Sequence, residues 1–442
     1  RYTADFYLHF LFLSRFNHDE GNAIELNKLA YKVQKLLDFL MYSTRPDGTT
    51  PLVGDDDGGR CLPLTTAASD DFRGTLSVGT VAFGRGDYKF VSQGISEELF
   101  WLLGEDGAEV FDLIESYQPG SASMAFKEGG YFVMRDGWSS TDNYLLFDAG
   151  DVGSLNGGHG HADTLSFELA VAGKTMLVDP GTYTYHQSKV LRDSFRSSNA
   201  HNTLTVDNQS SSEFGGKFSW DTKAVPEVKS WLSSDRFDFV EASHDGYRRF
   251  ESSPVEHTRS VLFLRNEYWI MRDFVHAARE HEYQQNFHFG AQTNPSIVNR
   301  KDGLSYVRDT DPIGVGMGLF TFGDNTSWDR KEGWVSKNYG SRQNAPFLQL
   351  TCRGTGPQEF FTFMIPQLRG DDEPEVFETE VAGGRAFVIN YREYQDLFVY
   401  ADGDGQLVRT EFFDTDFRFL WARLSSGDEL PEEFVLIDGN NF

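Results

Sequence analysis

The apolar pattern of the chain changes period once, near "YQPGSAS" at 117–123, and that change restricts the fold to helices followed by sheets. Ahead of it, Leu26, Leu29, Ala30, Val33, Leu36, Leu37 and Leu40 recur at steps of three and four. This spacing predicts one apolar stripe on a helix of about 18 residues, which "RPDG" at 45–48 ends. The stretch from Thr3 to Phe16 is apolar nearly all round, which predicts a helix packed on several sides, with His9 as a core or edge residue. Ile95, Leu99, Phe100 and Leu103 share a face over about 93–103, and Gly104 can cap that third helix.

Beyond residue 116 the apolar residues fall into short alternating or β-branched runs such as "GGYFVMRDG", "TLSFELAVAG" and "RSVLFLRNEYWIMRDFV", divided by Gly, Asp and Asn. Such runs predict a large antiparallel β domain of stacked sheets. The expected division is residues 1–115 helical, 116–368 the β domain, and 369–442 a C-terminal β region that begins after the turn cluster "LRGDDEPE". The fold class is therefore multidomain α+β.

With 40 Lys and Arg against 67 Asp and Glu, the net charge of −27 argues against general nucleic-acid or membrane-surface binding. An anionic ligand needs a local cationic cluster. Only Cys61 and Cys352 are present, so neither a disulfide framework nor a Cys-based zinc motif is available. Aromatic residues make up 15% of the chain, which suits a β-rich core first and stacking on sugars second. No apolar run reaches the 18 residues of a membrane-spanning helix.

The chemistry concentrates in "NGGHGHADTLSFELAVAGKTMLVDPGTYTY". Residues two apart on a strand point to one side, so His159 and His161 can present two imidazoles to one space, and the glycines let the backbone kink. Asp179 follows 18 residues after His161, and His201 follows 22 residues later. Two histidines and an aspartate form an N/N/O set of the kind zinc takes at about 2.0–2.2 Å. The competing reading is a glycine-rich turn with hydrogen-bonded histidines, and Asp163 is a rival ligand or an acceptor that orients an imidazole. Between Asp179 and His201 lie Tyr183, Tyr185, Lys189, Arg192 and Arg196, a cationic cluster beside these segments. A second dense set, His244, Tyr247, Arg248, Arg249, His257 and Arg259, reads as a strand edge or as part of the site.

The segments "GGHGHADTLSFEL", "VDPGTYTY" and "FRSSNAHNTLTVD", together with "RYTADFYLHFLFLSRFN", "GDDDGGR" and "HDGYRR", resemble the heparinase II/III-like polysaccharide lyases, a group that includes oligoalginate lyases. The resemblance implies the C-terminal part of an (α/α) toroid followed by a large antiparallel β-sandwich. It implies a structural zinc on His161, Asp179 and His201, with His159 catalytic. The implied reaction is β-elimination on a uronate polysaccharide: a base removes the C5 proton and the 4-linked oxygen leaves. In the family a tyrosine is catalytic; it falls three residues before the position matching Tyr2, ahead of Arg1, and Tyr2 is the candidate that the chain itself carries in that motif. Tyr185, Arg192, Arg196 and His244 are the expected substrate-binding residues. The implied partner is an acidic polysaccharide or oligosaccharide, with a homodimer as a further expectation and a periplasmic or secreted location. Two other readings remain open on the residues: a non-catalytic zinc-containing glycan-binding module, and a zinc hydrolase, for which no Glu base stands beside the ligand set.

Overall fold

A computed structural model describes residues 1–17, 23–300, 305–309, 314–403, 405–424 and 431–440. Among them, five helices come first: α1 (Tyr2–Phe16), α2 (Ala23–Ser43), α3 (Arg73–Phe83), α4 (Gly86–Ser92) and α5 (Glu97–Leu113). A sixth, α6 (Lys189–Phe195), lies inside the β region. Helices α3 and α4 were not expected from the sequence. Glycines and β-branched residues weaken the helical signal of "RGTLSVGTVAF", but Gly79 lets α3 approach α2 closely, since a Cβ there would lie 2.7 Å from Leu37 Cδ1.

Two other expectations are corrected. The third predicted helix starts at Glu97, where the Ser96 hydroxyl accepts the Leu99 N–H. It does not stop at Gly104, which sits at φ 65°, ψ −158° as a kink inside α5. Nor is α1 covered on several sides: Ala4, Leu8 and Leu11 are buried, whereas Phe6, Phe10, Leu13 and Phe16 are exposed. Its apolar stripe packs with residues of α2 and α3, and that core takes up one face only.

The β region is a stack. A five-stranded meander, Met124–Phe126, Tyr131–Arg135, Tyr144–Asp148, Phe167–Val171 and Lys174–Leu177, turns Val133, Tyr144, Leu146 and Ala170 to the helices. Phe132, Leu145, Phe147 and Leu169 face the other way, against an eight-stranded sheet. Within that sheet, chain neighbours Phe239 and Val240, Val261 and Leu262, Ile270 and Met271, and Phe363 and Met364 enter opposite cores. Period-two alternation with apolar residues on both sides makes it a middle layer. Its far face packs on Val376, Phe387, Ile389, Phe398 and Trp421 of a C-terminal five-stranded sheet, so the strands Glu375–Thr379, Gly384–Tyr391, Tyr394–Ala401, Phe419–Leu424 and Glu433–Ile437 form the last layer and share its core.

A fourth sheet, of four strands, contains the long hairpin Ser327–Asn338 and Ser341–Gly354. The tip of this hairpin reaches the loop between α2 and α3: Tyr339 N–H donates to Asp57 O at 3.0 Å, and Lys337 Nζ pairs with Asp70 at 2.7 Å. That contact holds the acidic "GDDD" loop against the glycine-histidine segment. Among the described residues no helix is long and apolar enough to cross a membrane, and both cysteines are free thiols.

Candidate active site and metal centre

The glycine-histidine segment is not a strand but a series of turns between the third and fourth strands of the meander. His159 and His161 therefore do not share a strand face. Gly160 makes the turn possible, because a Cβ there would lie 1.8 Å from Val152 O. The His159 side chain is 77% exposed; that of His161 is fully buried.

His161 meets Asp179 and His201, and one ligand atom from each lies within 4.8 Å of the others. Asp179 follows the end of the meander, where its carboxylate accepts the Gly181 N–H at 2.9 Å and pairs with His201 Nδ1 at 2.6 Å. His201 follows a short 3₁₀ turn (Ser198–Ala200) and is held in place by its neighbour Asn202, whose amide donates to Phe167 O and Val178 O. Two buried ring nitrogens in this trio, His161 Nδ1 and His201 Nε2, have no hydrogen-bond partner. An orphaned buried nitrogen costs about 1–3 kcal/mol, and a cation among the three groups would satisfy both. Burial pushes the Asp179 carboxyl up to about 7, against the opposing pull of His161. Burial likewise lowers His201. Asp163 is buried and raised by burial, and it does not belong to the trio.

Asp55, which the sequence reading did not single out, connects the trio to the exposed histidine. Its Oδ1 lies 3.0 Å from His161 Nε2 and accepts from Thr182 Oγ1 at 2.9 Å, while its Oδ2 lies 3.1 Å from His159 Nδ1. Arg192 grips both oxygens, through Nη1 and through Nη2 at 2.8 Å. Burial works against ionising Asp55, but hydrogen bonds and charges from His161 and Arg192 outweigh it and hold the carboxyl below its ordinary range. The backbone reinforces the link, with Asp55 N–H donating to His159 O at 2.9 Å. A carboxylate on the outer nitrogen of a ligating histidine is the usual way to fix its ring.

His159 opens onto a cleft of about 670 Å³ whose lining includes Tyr2, Phe39, Asp55, Asp57 and Tyr185. The structure thus brings Tyr2, His159 and Tyr185 to one space. The Tyr185 hydroxyl donates to Asp57 at 2.8 Å. Burial first, then the charge of Asp55 and that hydrogen bond, raise its pKa and favour the protonated hydroxyl.

Three expected substrate contacts are placed elsewhere. Arg192 is buried and committed to Asp55. Arg196 is wholly buried, bound to Asp193, Gly216 O and Ser219 O. His244 is interior, where its Nδ1 accepts the Gly246 N–H and its Nε2 faces His257. The sequence shows these arginines only as a cationic cluster because Asp55, the partner of Arg192, lies 137 positions away and the carbonyl partners of Arg196 lie in a turn that periodicity does not register.

A family model described as heparinase II/III-like, C-terminal, matches residues 118–375. Among curated relatives, a heparin-sulfate lyase of Pedobacter heparinus is 24% identical over 271 residues, covering 60% of this chain and 38% of that protein. A heparin-sulfate lyase of Bacteroides stercoris is 26% identical over 268 residues, covering 59% and 37%. The chain therefore spans well under two thirds of the length of these relatives. Among solved structures, a heparan sulfate lyase from Pedobacter heparinus superposes with a TM-score of 0.69 at 18% identity, over 90% of this chain and 58% of the other.

Proposed function

The chain belongs to the heparinase II/III-like family, and from that premise we propose that it is the C-terminal part of a lyase that cleaves a uronate-containing acidic polysaccharide by β-elimination. The observation that carries this reading is the division at "HGH": His161 turns inward to Asp179 and His201, while His159, one residue away, is exposed in a cleft that also holds Tyr2.

The trio fits a zinc ion, with His161, Asp179 and His201 as ligands and both orphaned nitrogens accounted for. When bound, the ion supplies positive charge and a cross-link between three separate segments, a structural role. The chemistry of the chain's own residues lies on the cleft side. The C5 proton of a uronate becomes removable only when the neighbouring carboxylate is neutralised by hydrogen bonds or positive charge. His159, oriented by Asp55, is placed to donate to that carboxylate or to move the C5 proton. Tyr2, or a tyrosine of the same motif upstream, is the second proton-handling group, and an incomplete toroid is the reading of α1 to α5 that goes with it. The proposed setting is the periplasm or outside the cell, where such polymers are met.

The test is formation, by the intact protein of which this chain is the C-terminal part, of the ultraviolet-absorbing C4=C5 double bond from heparan sulfate, alginate, hyaluronan or chondroitin. His159→Ala should lower the rate by about 10²–10⁴-fold while the protein keeps its metal. Flat absorbance across all four substrates counts against the lyase reading, and binding without the double bond would instead make the protein a glycan-binding module.

A further inference from the structure

We infer that the turn at 215–219 is a subsite for an anionic sugar, built from Lys217, His186 and Phe218 on the rim beside His159. The inference rests on the lyase reading for the identity of the polymer, but not for the existence of the site. The turn "GGKFS" joins the two short strands Glu213–Phe214 and Trp220–Thr222. Two buried arginines secure it from beneath. Arg196 donates to Gly216 O at 2.8 Å and to Ser219 O at 3.3 Å, with its guanidinium over the rings of Trp220 and Phe214 at 4.6 and 4.9 Å. Arg192 donates from Nε to Lys217 O at 3.3 Å. The same Arg192 grips Asp55, so the turn and His159 are referenced to one side chain.

The consequence is a fixed rim. The Phe218 ring lies 5.6 Å from that of His159, 5.3 Å from Tyr185 and 6.4 Å from His186, yet remains 38% exposed. Lys217 Nζ has His186 Nδ1 as its hydrogen-bonding partner at 3.4 Å, and among the described residues it pairs with no carboxylate. In a chain of net charge −27, an exposed ammonium without a carboxylate, carried by the residue before the Phe218 ring that lies against the cleft histidine, is placed for a charge brought by the ligand. A sulfate or carboxylate meets Lys217 and His186, and the apolar face of the sugar lies on Phe218. On this account Arg192 and Arg196 serve the substrate by holding the turn.

The experiment is calorimetric binding of a heparan sulfate oligosaccharide to the full chain, wild type and variants, at low and moderate salt. Lys217→Ala should weaken binding about tenfold, Lys217→Arg should restore it to within about twofold, and the difference should shrink as salt rises. Lys229→Ala, an exposed lysine on the edge strand Pro226–Ser233 and not among the residues lining the cleft, controls for loss of one charge. A Lys217→Ala affinity within about twofold of wild type, an equal loss from Lys229→Ala, or no binding by the wild type overturns the subsite. Binding through Lys217 without C4=C5 double-bond formation by the intact protein of which this chain is the C-terminal part sinks the lyase reading and leaves the subsite standing.

Discussion

Two clusters of buried histidine and aspartate lie in the β region, one around Asp273 and one around Asp179. Asp273 is gripped by Arg259 through both oxygens at 2.8 and 2.9 Å, accepts from Gln285 Nε2 at 2.5 Å and pairs with His257 at 2.6 Å. His257 in turn meets His244 at 3.3 Å. Asp179 has His201 and the Gly181 N–H, and no arginine or lysine is bonded to it among the described residues. Both carboxylates are buried, yet they respond in opposite directions. Burial disfavours the charge of Asp273, but Arg259 and His257 outweigh it and hold the carboxyl well below its ordinary range. At Asp179 burial wins and the carboxyl rises to about 7. The first cluster contains its own cation and every ring nitrogen in it is partnered; the second contains no such cation among the described residues and leaves two ring nitrogens orphaned.

The largest expected effect tests the closed cluster. Asp273→Asn leaves Arg259 buried without its counter-charge and should lower unfolding stability by about 3–5 kcal/mol in urea titrations, with or without a chelator. Because the folded acid lies below its unfolded value near about 3.9, the stability from Asp273 is fully present above that value and lost as pH falls toward the folded one. The variant should therefore lose less stability on acidification than the wild type. A variant as stable as the wild type would erase the distinction between the clusters.

A smaller effect tests the open cluster. If the trio holds zinc, stability should rise by about 2.7–4.1 kcal/mol when free zinc is about 100–1,000 times its dissociation constant. Chelation should take that increment from the wild type, and Asp179→Ala should show no zinc-dependent change in Tm. A wild-type Tm indifferent to both zinc and chelator would break the comparison from this side.

How much of this was legible in the sequence follows from where the interactions run. The order of helices then sheets could be read from periodicity, and His161, Asp179 and His201, once singled out, do converge. Both faces of the middle sheet are apolar, so it reads as strands without revealing that it is central. Asp55 was hidden because it lies 104 positions from His159 and 106 from His161, in a loop whose glycines and aspartates read only as a turn. Arg192, Arg196 and His244 were misread for a related reason. A cation or imidazole near a site in sequence does not reveal whether its partner is a ligand or, as here, Asp55, a pair of carbonyls or His257. Lys217 and Phe218 sit in a short turn with no periodic signal at all, and only the arginines beneath them give the turn a direction.

Two histidines separated by Gly160 are proposed to divide their labour, His161 holding the metal and His159 facing the cleft. This division is tested most directly by the zinc content of purified wild type, His159→Ala and His161→Ala. About one zinc per chain is expected in the first two and under about a tenth in the third. Zinc lost from His159→Ala, or retained in His161→Ala, would contradict it.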